Sequence, residues 1–164
     1  MTKLKEGHKA PDFELTAHNG RAVSLKDFLG DKNIVLYFYP KDDTPGCTIE
    51  ACGLRDVRPE LLKLDAKILG ISPDTMSSHQ KFAAKYGLTF LLLSDEEKTV
   101  CKKYGVWVEK SMYGRKYMGV ARTTFIISKG GRIEKIFENV KPKGHDQEVL
   151  EALREVYEHQ HASV

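Results

Sequence analysis

The sequence predicts an α/β protein wound around a parallel sheet, and three observations carry that prediction. Residues 33–39 (NIVLYFY) form a nearly continuous apolar and aromatic run closed by Pro40, the pattern of a strand buried on both faces. Beyond it, segments of the two kinds alternate. A strand over 67–72 precedes a helix over 75–86 stopped by Gly87, and a strand over 90–93 precedes a helix over 95–104 stopped by Gly105. Such βαβα order winds into a parallel sheet. Finally, a helical pattern over 146–159 sets Val149, Leu150, Leu153, Val156 and Tyr157 on one face, an apolar stripe suited to pack on that sheet.

The remaining elements complete the chain. Residues 13–16 and 21–24 flank Ala17-His18-Asn19-Gly20, whose Asn-Gly pair signals a hairpin turn. Ser24 then opens a short helical turn. Helical periodicity over 47–65 runs through Ile49, Leu54, Val57, Leu61, Leu62 and Leu64, but Gly53 and Pro59 interrupt it. That helix is therefore expected to bend or break near residues 56–58. Residues 106–121 read as irregular. A strand over 123–128, the turn Lys129-Gly130-Gly131 and a strand over 132–138 predict an antiparallel hairpin.

Composition narrows the function classes. The chain has 164 residues, no internal repeat and no linker-like tract, so one domain spanning 1–164 is expected. Hydrophobic residues make up 41% and charged residues 30%, which is globular usage. Net charge is +3, with 26 Lys and Arg scattered among 23 Asp and Glu, which argues against a nucleic-acid footprint. No apolar run approaches the roughly 20 residues that span a bilayer, and the start lacks the apolar core of a secretory signal. A cytoplasmic location without membrane attachment is the expectation. Three cysteines are too few for a disulfide framework, which leaves core thiols or chemistry. The histidines at 8, 18, 79, 145, 159 and 161 show no spacing that suggests zinc, and no metal or organic cofactor is expected.

Chemistry is concentrated in Pro40-Lys41-Asp42-Asp43-Thr44-Pro45-Gly46-Cys47, which joins the end of the buried strand to a helix start, where ligands gather in open α/β sheets. Cys47 falls in the first helical turn, where unpaired N–H groups and the helix dipole favour a thiolate. An unperturbed cysteine, with pKa about 8.5, is only a few per cent ionised at neutral pH. Thr44, three residues earlier, is close enough to turn its hydroxyl toward the sulfur, and Pro40 and Pro45 stiffen the loop. Taken alone, Thr-x-x-Cys at a helix start also fits an N-cap followed by a packed cysteine.

The segment PKDDTPGCTIEAC resembles the active-site segment of peroxiredoxins, whose pattern Pro-x-x-x-Thr-x-x-Cys is matched at Pro40, Thr44 and Cys47. A second cysteine five residues on, Cys52, is similar to the branch called bacterioferritin comigratory protein or peroxiredoxin Q. The similarity extends through KAPDFEL, VWVEKSMYGRKYMGVARTTFII and the terminal helix. It implies a thioredoxin-like fold with a central mixed sheet flanked by helices. It also implies reduction of hydrogen peroxide and organic hydroperoxides, regeneration by thioredoxin or a similar dithiol, and a monomer. Pro40 would shield the thiolate from water. Arg122, heading the strand over 123–128, matches the family's arginine and would stabilise the thiolate and bind peroxide together with Thr44.

The same resemblance makes Cys52 the resolving thiol. Residues five apart in an intact α-helix have Cα atoms about 8.7 Å apart, beyond the reach of a disulfide, so a Cys47–Cys52 bond requires unwinding of residues 47–55. Cys101 is expected to be a packed bystander. A thiol–disulfide oxidoreductase on this fold would carry Cys-x-x-Cys, and a redox sensor or holdase would couple oxidation to a partner surface. These are the competing readings.

Overall fold

The computed structural model describes residues 2–162. Strands β1 (Glu14–Ala17) and β2 (Ala22–Ser24) pair antiparallel with Leu15 opposite Val23, and Gly20 supplies the positive φ of 85° that their turn requires. The Asp27 carboxylate accepts a hydrogen bond from Ser24 N at 2.9 Å, closing the short turn Leu25–Asp27. Next come β3 (Asn33–Phe38), helix α1 (Pro45–Lys63), β4 (Ala66–Ser72), α2 (Met76–Tyr86) and β5 (Leu91–Ser94). Helix α3 (Thr99–Lys103), strands β6 (Trp107–Met112), β7 (Arg115–Val120), β8 (Thr123–Ile127) and β9 (Ile133–Phe137), and helix α4 (His145–Gln160) complete the order.

Seven strands form one sheet in the order β2-β1-β5-β4-β3-β8-β9. Strands β3, β4 and β5 run parallel, whereas β1 joins β5 and β8 joins β3 antiparallel, so the sheet is mixed. Every residue of β3 is buried, as its unbroken apolar run predicts. Successive side chains point to opposite faces. Val35, Tyr37 and Tyr39 pack with α1, α2 and α4, while Ile34, Leu36 and Phe38 pack with Phe13, Tyr104 and Phe125 on the far side. Thus one strand feeds both cores. No helix among the described residues is long and apolar enough to cross a membrane.

Three elements differ from expectation. Helix α1 runs unbroken through Pro59. Pro59 lies on its exposed side, so the Arg55 carbonyl that loses its N–H partner can turn to water. Leu54, Val57 and Leu61 meanwhile hold the opposite side in the core. Helix α3 is five residues long because residues 95–98 form a tight turn instead. Lys98 takes φ 62°, and the buried Asp95 carboxylate receives the Val100 and Cys101 amides at 3.3 and 2.8 Å. Residues 106–121 are an antiparallel hairpin, β6 against β7, turned by Tyr113 and Gly114 with φ of 51° and 76°. Charged and apolar side chains share both of its faces, which hides the alternation in the sequence.

Candidate active site

Strand β3 delivers the chain to the loop that ends at the start of α1. Thr44 is the N-cap (φ −94°, ψ 156°) and Pro45 opens the helix, where its missing N–H leaves no hydrogen bond unmade. Cys47 follows in the first turn. Its side chain is 1% exposed and packs in the core between α1 and the sheet. The first-turn amides and the positive end of α1 therefore lie next to a thiol removed from water.

The decisive neighbour comes from far along the chain. Because Phe38 pairs with Thr123 across β3 and β8, Arg122 arrives beside the end of β3. Its Nη2 lies 3.0 Å from Cys47 Sγ, and its Nη1 lies 3.0 Å from Glu50 Oε1. The planar fork of a guanidinium suits such a bridge. Gly46 leaves room for it, since a Cβ at that position would lie 2.8 Å from Nη2.

Glu50 follows Cys47 by three residues and its side chain is fully enclosed. Burial pushes its carboxyl up to about 7, against the downward pull of Arg122. Among the described residues, Glu50 Oε2 and Tyr37 Oη are buried without hydrogen-bond partners. A second cation stands nearby. The Lys110 stem crosses Gly119, where a Cβ would meet its Cδ at 3.2 Å. Partial burial and then the charge of Arg122 hold the Lys110 ammonium below its usual range, while Cys47 pulls the other way.

Thr44 donates its hydroxyl hydrogen to the Lys41 carbonyl at 2.9 Å and makes no side-chain cap. Pro40 is half-buried at the start of the same loop. Cys52 sits within intact α1, partly exposed, and all three thiols are free. Cys101 is fully buried in α3, and burial, followed by Asp95, pushes its thiol far above the usual range. A free cysteine in such surroundings is inert.

A family model described as the AhpC/TSA family matches residues 7–136. The chain belongs to that family. Within it, the chain is 51% identical over 150 residues to a putative peroxiredoxin bcp of Coxiella burnetii, covering 92% of this chain and 99% of that one. It is 49% identical over 155 residues to peroxiredoxin Bcp of Bacillus subtilis, covering 94% and 98%. Among solved structures, a mutant of Xylella fastidiosa PrxQ superposes with a TM-score of 0.89 at 34% identity over 99% of this chain and all of the other. A Xanthomonas campestris bacterioferritin comigratory protein, described for its alkyl peroxide reduction activity, gives 0.86 at 38% identity over 96% and 99%. This AhpC/TSA protein accordingly has the thioredoxin-like peroxiredoxin fold and falls in the Bcp branch.

The structure thus brings Thr44, Cys47 and Arg122 to one end of β3 and leaves Cys52 further along the helix. Sequence reasoning missed three of the family member's site neighbours. Glu50 had a usable signal, because an acid three residues after a first-turn cysteine lies on the same helix face. Lys110 had none, since it arrives on a hairpin that reads as irregular. His79 lies with Asp42 and Asp74 in a group whose polar atoms are within 4.8 Å of one another, and only the fold brings these three segments together.

Proposed function

We propose that this protein is a thiol peroxidase that reduces hydrogen peroxide and organic hydroperoxides through Cys47. The observation that carries the reading is the 3.0 Å approach of the Arg122 guanidinium to a buried first-turn thiol. A cation at that distance stabilises the sulfur more as the anion than as the thiol, and the anion is the nucleophile.

The Cys47 thiolate attacks one peroxide oxygen. An S–O bond forms as the O–O bond breaks, and the leaving alkoxide or hydroxide takes a proton to become alcohol or water. Arg122 offers donors to the charge that moves from sulfur to the departing oxygen. Thr44 has given its hydrogen to Lys41, so its oxygen can accept one from the peroxide. Pro40 keeps water from the sulfur. The sulfenic acid then condenses with the Cys52 thiol, forming a disulfide and releasing water, after residues 47–55 unwind. Thioredoxin or a similar dithiol reduces that disulfide by exchange. We assign this cycle to a single monomeric domain in the cytoplasm, without nucleic-acid or membrane partners.

The test separates the two thiols. Reduced Cys47→Ser protein should not consume hydrogen peroxide. Cys52→Ser should consume about one equivalent and then stop, unrecycled by thioredoxin. Normal thioredoxin-linked turnover by Cys52→Ser would remove Cys52 from the mechanism, and retained activity in Cys47→Ser would overturn the reading.

A further inference from the structure

A buried polar cluster outside the reacting centre grips the loop that carries Thr44. His79, on α2, is fully buried, and each ring nitrogen faces an acceptor. Nδ1 lies 2.7 Å from Asp42 Oδ2, and Nε2 lies 3.0 Å from the Leu93 carbonyl. Both ring nitrogens are thus engaged, one by the Asp42 carboxylate and one by the backbone of β5. That carboxylate also accepts the Tyr39 hydroxyl at 2.6 Å and the Ser78 hydroxyl at 2.8 Å. The Asp42 amide donates to Asp74 Oδ2 at 2.8 Å, and the Ser72 hydroxyl donates to the same oxygen at 2.5 Å. With both nitrogens engaged, the group reads as a structural clamp.

The clamp acts on one peptide plane. The Asp42 N–H and the Lys41 C=O belong to the same planar amide. Holding the N–H on Asp74 and the side chain on His79 fixes where the carbonyl points. The Lys41 carbonyl is the acceptor for the Thr44 hydroxyl hydrogen. The next residue, Asp43, is tied to the far end of α2, accepting from Lys85 Nζ at 2.9 Å and Tyr86 Oη at 2.8 Å. Helix α2 therefore holds the loop at two consecutive residues, Asp42 and Asp43. Among the described residues, the side-chain hydrogen bond to Cys47 comes from Arg122 and not from this helix.

We infer that His79, with Asp42, is a positioning residue for peroxide reduction: it fixes the Lys41–Asp42 peptide and so aims the Thr44 hydroxyl oxygen that accepts a hydrogen bond from the peroxide. The inference rests on the peroxidase reading above. A loosened clamp frees the Lys41 carbonyl to turn, and Thr44 can then donate elsewhere. It leaves the Arg122–Cys47 contact intact, because Arg122 is held from β8 and Glu50.

The experiment is a double-mutant cycle of His79→Gln with Thr44→Val, read by the rate at which one equivalent of hydrogen peroxide oxidises reduced protein. In the otherwise wild-type chain, His79→Gln should slow oxidation by about ten-fold or more, the scale on which small misplacements act. In the Thr44→Val background it should change the rate by less than about two-fold, because residues acting through one another are not additive. Iodoacetamide alkylation of Cys47, which uses the thiolate but not Thr44, should stay within about two-fold of wild type. General loosening would instead expose the buried sulfur and accelerate alkylation. An equal loss in both backgrounds, no loss in either, or faster alkylation overturns the inference. If His79→Gln does not fold, Ser78→Ala removes one bond to the same carboxylate and the same cycle decides. Wild-type protein that reacts no faster than a free thiol would sink the peroxidase reading itself, whereas a reactive wild type with an additive cycle sinks only the clamp.

Discussion

Enclosing Glu50 has a measurable consequence for how stability depends on pH. Its carboxyl moves from an ordinary 4.5 to about 7, chiefly because burial disfavours its charge. The folded state therefore holds a proton over a range in which the unfolded chain has lost it. Stability then falls as pH rises through that window, is unpenalised below about 4.5 and bears the full penalty above about 7. At about 1.4 kcal/mol per pH unit, the span amounts to about 3 kcal/mol. Glu50→Gln keeps an acceptor for Arg122 and removes the titration. Urea unfolding of the two reduced proteins at pH 4.5 and pH 8 measures the difference, with groups common to both cancelling. Relative to wild type, Glu50→Gln should gain about 3 kcal/mol between the two pH values. A difference that stays flat, or that moves the other way, would show that Arg122 keeps Glu50 charged throughout and that burial does not dominate.

Two further outcomes follow from the site. Gly46→Ala would place a methyl 2.8 Å from Arg122 Nη2, displacing the guanidinium from the sulfur. Stopped-flow oxidation should be slower by about ten-fold or more with the thermal midpoint little changed, and an unaltered rate would remove this contact from the mechanism. Cys101, fully buried with its thiol pushed far up, should remain unmodified when iodoacetamide has consumed Cys47 and Cys52 in folded protein, as peptide mapping would show. Labelling of Cys101 at a comparable rate would contradict its enclosure.

Local patterns were legible wherever one physical rule dominated. The run over residues 33–39 could be read as a strand buried on both faces because both faces of β3 are in fact covered. The Asn-Gly turn and the Gly87 stop each place an element boundary where backbone geometry demands it. Reading failed where opposing rules met. Pro59 predicts a bend or a break, and the break does not occur, because the buried stripe of α1 outweighs one missing hydrogen bond on the exposed side. The run over 95–104 looks helical until the Asp95 carboxylate captures two amides and shortens it. The hairpin over 107–120 carries mixed side chains on both faces, so no period stands out.

The sequence by itself determined the local stage for the chemistry. A strand end, a proline-stiffened loop and a cysteine in the first helical turn follow from residue order, and helix-start electrostatics follow from that placement. Only the tertiary structure decided which charges meet the thiol. Arg122 is 75 residues from Cys47 along the chain and reaches it through the pairing of β8 with β3. His79 is 37 residues from Asp42 and reaches it because α2 packs over the loop. Sheet register and helix docking are set by the burial of whole faces, and such non-local terms leave no mark on the short stretches of chain they bring together.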